Sequence, residues 1–544
     1  MKKIACIIMA LSFIVSAFAF AGCEKEAVGR TVYNEGDGSG GNLEIVISEA
    51  GFGTEWLRQM AKEFSKDNNV SVAVVANGNQ NSQYISQIQN DQSPYDLVFT
   101  TGSQARLADE RKVVNLTQLV YNQKLPGHED TILNEMNPYI RERLNWKGQN
   151  QYYFIDWANS VSGIFYNMTT LKKWDSSFTE DDLPRTTNEL LDLSYAISDD
   201  DGYVAWSTFA GSSYSDYMSL IWGAQYDGYD AYFDYYTLNN GTATSYDDIY
   251  HGGLGAAFDV IAEILNSKNG IMHEAATRMN YLDAQVAFAG NGYQGNNDLV
   301  AFIPSGDWME SELSDYLPNN PQDFGILKSP VVSSIYETFT DKEDKAYFGD
   351  TTEANGKYGS TRKTTVGDQR LAELVQCIDD NKTLEETRTA LSYAELDQTT
   401  YDRVAEARSI MSCATMDHQM SMPITAKNQD NAVKFVLYML SDEGQKIYSD
   451  VLGGRGMVYG YEVPEEDLNA ASYMIKSINW LGNYRPVFCD YSSAYVYAGG
   501  LRYYAVNDRY AQMQNGTDAQ TILAGVRQHW TDNWSTVVAG GSIN

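Results

Sequence analysis

The chain has 544 residues, with 39 basic against 72 acidic side chains and a formal net charge of −33. That acidity disfavours phosphate backbones and anionic solutes, so no nucleic acid partner is expected, and the length exceeds what one simple core holds, so two or more domains are expected. The 5 cysteines include no C-x-x-C pair, which removes thiolate metal sites and dithiol redox chemistry from consideration.

The first element is an export signal. Met1-Lys2-Lys3 precedes an apolar run from Ile4 to Gly22, and Cys23 follows directly. A basic start followed by an apolar run is what the export machinery reads. The run is also long enough to span a bilayer, so an uncleaved anchor is the competing reading. The small residues Ala21 and Gly22 abut Cys23 in a pattern that resembles the lipobox of bacterial lipoproteins, with Phe20 where that box usually has Leu. The resemblance implies cleavage after Gly22 and an acyl chain on Cys23, tethering the chain to the outer face of the cell membrane. Losing residues 1–22 leaves 37 basic against 72 acidic residues. No later apolar run approaches a bilayer span. Of the cysteines beyond the signal, Cys377, Cys413 and Cys489 permit at most one bridge, and buried thiols are their ordinary state.

Residues 23–42 are polar and glycine-rich and read as a flexible tether of roughly 20–25 Å. Leu43–Ser48 is a short apolar strand, followed by a loop over 49–54 with two glycines. A helix begins near Glu55, with Trp56, Met60 and Phe64 on one face. A strand over 70–76, a turn at Asn77-Gly78, a helix over 80–89 and a strand over 95–100 come next. This alternation predicts parallel strands with crossover helices, and strands so apolar are buried on both faces. Residues 151–157 and 163–167 read as strands, and 184–290 as a helical region rich in aromatics. Further strands are expected at 300–304 and 324–327, a charged inserted segment of helices and loops at 340–410, and helices at 431–440 and 444–450.

Four segments in this order resemble the extracellular solute-binding proteins of ABC importers, in the large carbohydrate-type family. They are the opening strand with its Gly51-Phe-Gly-Thr54 loop and helix, ending at Asp96-Leu-Val-Phe99; Ser162-Gly-Ile-Phe-Tyr-Asn167; Val300-Ala-Phe-Ile-Pro-Ser-Gly-Asp-Trp308; and Pro423–Lys427 followed by Ala432–Leu440 and Ser441-Asp-Glu-Gly-Gln-Lys446. They cover about 43–450. The chain is longer than usual for that family, mainly in 330–415 and after 450. The resemblance implies an α/β, two-lobed periplasmic-binding-protein-like fold, each lobe an open sheet flanked by helices and joined to the other by a hinge. The expected division puts 43–155 with 300–425 in one lobe and 156–299 with 426–544 in the other. It further implies a monomer that traps a solute between the lobes, hands it to membrane permease subunits, needs no cofactor or metal and does no chemistry on its ligand.

A sugar presents an apolar C–H face and a ring of hydroxyls, so a flat indole beside a carboxylate or amide is the matching surface. The composition favours such surfaces, with 39 Tyr and 10 Trp against 19 Phe. Asp156-Trp157 and Asp307-Trp308 each follow a strand and are the leading ligand-binding candidates; their ordinary roles would be packing for the indoles and turn capping for the acids. Trp206, Tyr214, Tyr217 and Trp222 form a second cluster, although Tyr214, Met218 and Trp222 also carry core spacing. Asn77, Asn79 and Gln80 follow the second strand and suit hydroxyl contacts or a turn. Trp480, Tyr484 and Arg485 lie in an aromatic segment near the C-terminus.

Catalytic patterns are poor. His273-Glu274 lacks the second histidine of a zinc motif, Ser360-Thr-Arg-Lys363 stands without companion motifs, and Asp199-Asp-Asp-Gly202 is too short for a calcium loop. The expectation is therefore a lipid-anchored receptor for an oligosaccharide. A surface glycoside hydrolase, and a receptor of the same fold for a peptide or polyamine, are the alternatives.

Overall fold

Two six-stranded sheets organise the chain into two lobes. The computed structural model describes residues 29–49, 51–78, 80–101, 104–207, 214–232, 234, 242–413, 418–482, 484–488 and 509–540. In chain order the strands are β1 (Gly29–Tyr33), β2 (Asn42–Glu49), β3 (Ser71–Gly78), β4 (Leu97–Thr101), β5 (Ile155–Asp156), β6 (Val161–Asn167) and β7 (Tyr203–Trp206). There follow β8 (Leu299–Gly306), β9 (Phe324–Ile326), β10 (Glu353–Ala354), β11 (Thr364–Thr365), β12 (Ile410–Cys413), β13 (His418–Ser421) and β14 (Arg485–Phe488). The first sheet has the order β1-β3-β2-β4-β13-β5, and the second β14-β12-β6-β8-β7 with β9 beside β6. Strands β10 and β11 pair only with each other.

The first sheet follows the expected alternation. Strand β2 pairs in parallel with both β3 and β4. Its Ile45 and Ile47 join one core while Val46 joins another on the opposite face, as a strand covered on both sides requires. The helix Glu55–Asn68 buries Trp56, Leu57, Met60, Ala61 and Phe64 and stops at Asn69, which takes a left-handed conformation at φ 54°. The helices Gln429–Leu440 and Asp442–Val451 pack beside it, with Phe64 edge-on to Phe435 at 5.2 Å. One buried carboxylate fastens this returning segment: Asp96 accepts from the main-chain nitrogens of Glu44, Lys427 and Asn428 at 2.8–2.9 Å and from Asn428 Nδ2 at 2.9 Å.

The tether expectation for 23–42 needs correction. Residues Gly29–Tyr33 form the edge strand β1, antiparallel to β3. Thr31, Val32 and Tyr33 are good strand formers, Arg30 pairs with Glu44 at 2.6 Å, and Arg58 Nη1 donates to Thr31 Oγ1 at 2.8 Å. The N-terminal signal and Cys23 lie outside the described residues.

Three stretches of chain join the sheets. Strand β5 pairs with β13 in the first sheet, Asp156 opposite Gln419, and β6 pairs with β12 in the second, Val161 opposite Cys413. The chain thus passes from sheet to sheet at 156–161, returns between β12 and β13, and crosses again before β14, which pairs with β12. Ser162 and Ser412 hydroxyls bond at 2.7 Å beside the first two crossings. The expected division of the chain differs from this pairing. Strand β8, expected with 43–155, bonds to β6 in the second sheet, and the helices over 429–451, expected in the other lobe, cover the first sheet. The apolar runs locate strands but do not choose their partners; register and burial do.

The second lobe carries the additional length. Helices Val366–Asp379, Leu384–Leu391 and Gln398–Arg408 contribute Leu371, Leu374, Val375, Val404 and Ala407 to its core. Arg408, almost fully buried, forks onto both oxygens of Asp379 and donates to the carbonyls of Lys328 and Ser329 at 3.0 and 2.9 Å. The last helix, Ala519–Gly540, seals the same core with Ile522, Val526 and Trp530. Cys377 and Cys413 are buried, and Cys489 lies outside the described residues. Among the described residues no helix is long and apolar enough to cross a membrane.

Candidate functional site

Strand ends meet at the junction between the lobes. The loop after β2, Gly51-Phe52-Gly53-Thr54, comes from the first sheet, and Gly306-Asp307-Trp308 ends β8 of the second. Trp308 is half-buried and packs against both cores. Its ring lies edge-on to Tyr214 and Tyr217, each at 6.4 Å, and those two rings stack on each other at 5.4 Å. Tyr214 and Tyr217 stand at the start of the helix Ser215–Asp227. Two glycines make room for the indole: a Cβ on Gly306 would lie 2.1 Å from its six-membered ring, and one on Gly51 would lie 2.8 Å from Trp308 Cβ. The result is a cluster of three rings built from the second lobe and touching the first, with Tyr214 and Trp308 half-buried and Tyr217 buried behind them.

Asp307 sits beneath this cluster with no solvent exposure. Its carboxylate accepts from Ser160 Oγ at 2.8 Å and pairs with Arg455, whose Nη2 also donates to the Asp307 carbonyl at 2.9 Å. Burial pushes the Asp307 carboxyl above its usual range, and Arg455, Ser160 and His418 pull it back. The Arg455 guanidinium lies 5.4 Å over the Phe52 ring. His418 is edge-on to Phe52 at 5.3 Å and to Trp157 at 4.8 Å.

Of the candidates read from the sequence, Trp308, Asp307 and Tyr214 come together here. Others need correction. Trp157 is fully buried, stacked on Trp56 at 5.4 Å behind Phe52, so it supports the junction from inside the first lobe. Asp156 is equally buried; its main-chain N–H donates to Tyr459 OH at 2.8 Å. Trp206 and Trp222 are core residues of the second lobe. Their indole N–H groups donate to Ser194 Oγ at 2.9 Å and to the Pro330 carbonyl at 3.1 Å, leaving neither face nor edge for a solute. Asn77 Nδ2 donates to Tyr84 OH at 2.9 Å at the end of β3, while exposed Gln80 bonds through its backbone to Ser48 Oγ at 3.1 Å. Asn79 lies outside the described residues. Trp480 is 58% exposed at the end of the helix Tyr473–Trp480, with its ring against Tyr473. Tyr484 is buried near Cys413 and Asp307, and burial raises its phenol well above the ordinary value. Arg485 pairs with Glu406 at 2.8 Å and donates to Tyr139 OH at 3.0 Å.

Arg455, His418, Phe52 and Ser160 were not singled out by the sequence reading. Arg455 had one signal, a lone charge inside Gly453-Gly454-Arg455-Gly456 directly after a helix. A cavity of about 300 Å³ lies elsewhere, in the second lobe. Its polar groups already satisfy one another, Arg362 forking onto Glu263 at 2.7 and 3.2 Å and Asn188 bonding Asp368. Among the described residues no cluster of three or more His, Cys, Asp or Glu is arranged to hold a metal.

The model of the bacterial extracellular solute-binding protein family matches residues 53–336. The chain belongs to this family. It is a family of binding proteins rather than enzymes, and its fold is two-lobed. The solute receptor AcbH, described as preferring β-D-galactopyranose, is similar over 92% of this chain and 100% of its own at 12% identity and a TM-score of 0.59. The apo form of RafE from Streptococcus pneumoniae is similar over 90% of this chain and 97% of its own, at 14% identity and a TM-score of 0.57. The GacH receptor of Streptomyces glaucescens is similar over 92% and 98%, at 14% identity and a TM-score of 0.53. At such identities these likenesses concern the fold. A comparison with curated protein sequences gives no match.

Proposed function

We propose that this family member is a lipid-anchored receptor on the outer face of the cell membrane that captures a neutral oligosaccharide between its lobes. It delivers the sugar unaltered to the permease subunits of an ABC importer, acts as a monomer and is held by an acyl chain on Cys23. The observation that carries this reading is the half-buried Trp308 and Tyr214 rings at the lobe junction, backed by buried Tyr217, where flat rings with polar tips suit the two-faced chemistry of a sugar. The similar fold of RafE, which has been solved in complex with raffinose, supports the ligand class. So do the chitin oligosaccharide binding protein and GacH, the latter seen with acarbose. A hydrolase needs a carboxyl group free to exchange protons; Asp307 is instead tied to Arg455 and Ser160.

Titration calorimetry of the mature chain against raffinose, galactose, chitin oligosaccharides, xylo-oligosaccharides, a tripeptide and spermidine tests the reading. Binding of one saccharide class is expected, with Trp308→Ala losing at least ~2 kcal/mol, about 30-fold, as for central aromatic anchors. Binding by the peptide or the polyamine alone, or steady release of shortened sugar, would refute it.

A further inference from the structure

We propose that Arg455 and Asp307 are positioning residues: together they fix the Trp308 indole at the lobe junction and thereby set how tightly the gap holds its solute. The affinity part rests on the receptor reading above; the geometric part does not.

The argument starts from the peptide group that leads into Trp308. Its carbonyl belongs to Asp307, and Arg455 Nη2 donates to that oxygen at 2.9 Å while Nη1 holds the Asp307 carboxylate. One guanidinium therefore grips side chain and backbone of the same residue, a geometry that a planar fork provides and a lysine ammonium does not. The preceding peptide is fixed as well, because the Asp307 N–H donates to the Val161 carbonyl at 3.0 Å. With both peptides held, the direction in which the Trp308 side chain leaves the backbone is set. The indole is then confined by Gly306 and Gly51, where any Cβ would collide with it, and by Tyr214 and Tyr217.

Arg455 is also a tie between lobes. It follows the helix Asp442–Val451, and its chain neighbours Met457, Val458 and Tyr459 are buried in the core of the first lobe. Asp307 ends a strand of the second sheet. The guanidinium is 10% exposed and the carboxylate fully buried, and Phe52 of the first lobe covers the guanidinium at 5.4 Å. A pair this dry does not exchange freely with water, so the position of one lobe is transmitted to the backbone carrying the ring on the other.

The test uses the full mature chain labelled with 5-fluorotryptophan. The Trp308 fluorine resonance is assigned by its loss in Trp308→Phe. In Arg455→Gln that resonance is expected to shift or broaden while the Trp206 resonance, deep in the second lobe, stays in place; Arg455→Lys restores it only in part. Asp307→Asn/Arg455→Gln leaves no unpaired buried charge, so it decides the matter should Arg455→Gln fail to fold. In calorimetry with the tightest of raffinose, chitin oligosaccharides and xylo-oligosaccharides, Arg455→Gln is expected to lose at least tenfold in affinity. The double variant Arg455→Gln/Trp308→Ala should bind no more weakly than Trp308→Ala alone, because the arginine acts through the indole. An unmoved Trp308 resonance in the doubly neutral variant, or affinity losses that multiply, would overturn the proposal. If the unsubstituted protein binds none of these sugars, the receptor reading fails while the fluorine spectra still decide where the indole is held.

Discussion

Asp227 should make the second lobe less stable as the pH rises. Its Oδ1 accepts from the Gly253 N–H at 2.7 Å at the start of the helix Gly253–Leu265, with His251 and Arg403 near by. Burial pushes its carboxyl from 3.8 up to about 6, the Gly253 N–H and the two basic side chains offsetting only part of the effect. In the unfolded chain the group ionises near 3.8, and in the folded protein near 6. Well below 3.8 both states hold the proton and the folded state keeps the full benefit. Between those values the unfolded state loses its proton first, so stability falls with pH; above about 7 both are ionised and the loss is complete. The interval corresponds to about 3 kcal/mol. Asp227→Asn keeps an oxygen acceptor for Gly253 and removes the titration. Urea unfolding of both proteins, followed by tryptophan fluorescence at steps from pH 4 to 8, isolates this group from the other carboxylates by difference. The variant's advantage should grow from pH 4 to about 6.5 and then level off. A difference that stays flat over that range would refute the assignment of a buried, reluctantly ionised carboxyl.

Trp157→Ala should destabilise the first lobe by ~3–5 kcal/mol in urea titrations, the cost of emptying a fully buried indole site, and Trp157→Phe by much less; equal effects would contradict its packing role. Arg408→Gln should cost ~3 kcal/mol near neutral pH, because it leaves Asp379 facing only Lys328. Burial raises the Asp379 carboxyl, but Arg408 and Lys328 outweigh it and hold the group below the usual range. Its contribution is therefore present above about pH 4 and lost as the pH falls, so the gap between native and variant should narrow in acid. A constant gap would show that Arg408 acts through packing alone.

The parallel strands β2, β3 and β4 were legible because they are continuous apolar runs and the first helix repeats aromatic and aliphatic residues every turn. Strands β12 and β13 were not. Ile410-Met-Ser-Cys413 and His418-Gln-Met-Ser421 have little local strand preference, and they become strands because β6, β4 and β5 offer them paired edges. The candidate site was half legible for a related reason. An indole beside a carboxylate at a strand end marks the lobe junction, and both Trp157 and Trp308 lie there. Which side of the junction each ring faces depends on what packs behind it. Trp157 found Trp56, whereas Trp308 found the glycines at 51 and 306 and remained partly open. Trp222 lies one and two helical turns beyond Met218 and Tyr214, and that spacing is a core stripe; only its first ring reaches the junction.

Beyond the three crossings and an apolar core shared by both sheets, two arginines link the lobes, one pair dry and the other partly exposed. Arg455 spreads on Phe52 of the first lobe and pairs with Asp307 of the second. Arg485 lies 5.6 Å from the Tyr139 ring and 5.8 Å from the Tyr229 ring, and pairs with Glu406. Tyr139 belongs to the short helix Pro138–Leu144 that precedes the first crossing, while Tyr229 and Glu406 belong to the second lobe. An apolar interface of similar extent would resist opening in proportion to the area exposed. The partly exposed Arg485 guanidinium can give up its ring contacts and be rehydrated in the same step, whereas the dry Arg455–Asp307 pair resists separation. Opening the lobes therefore means moving Arg455 and Asp307 together or breaking a dry pair, while the Arg485 tie yields more readily.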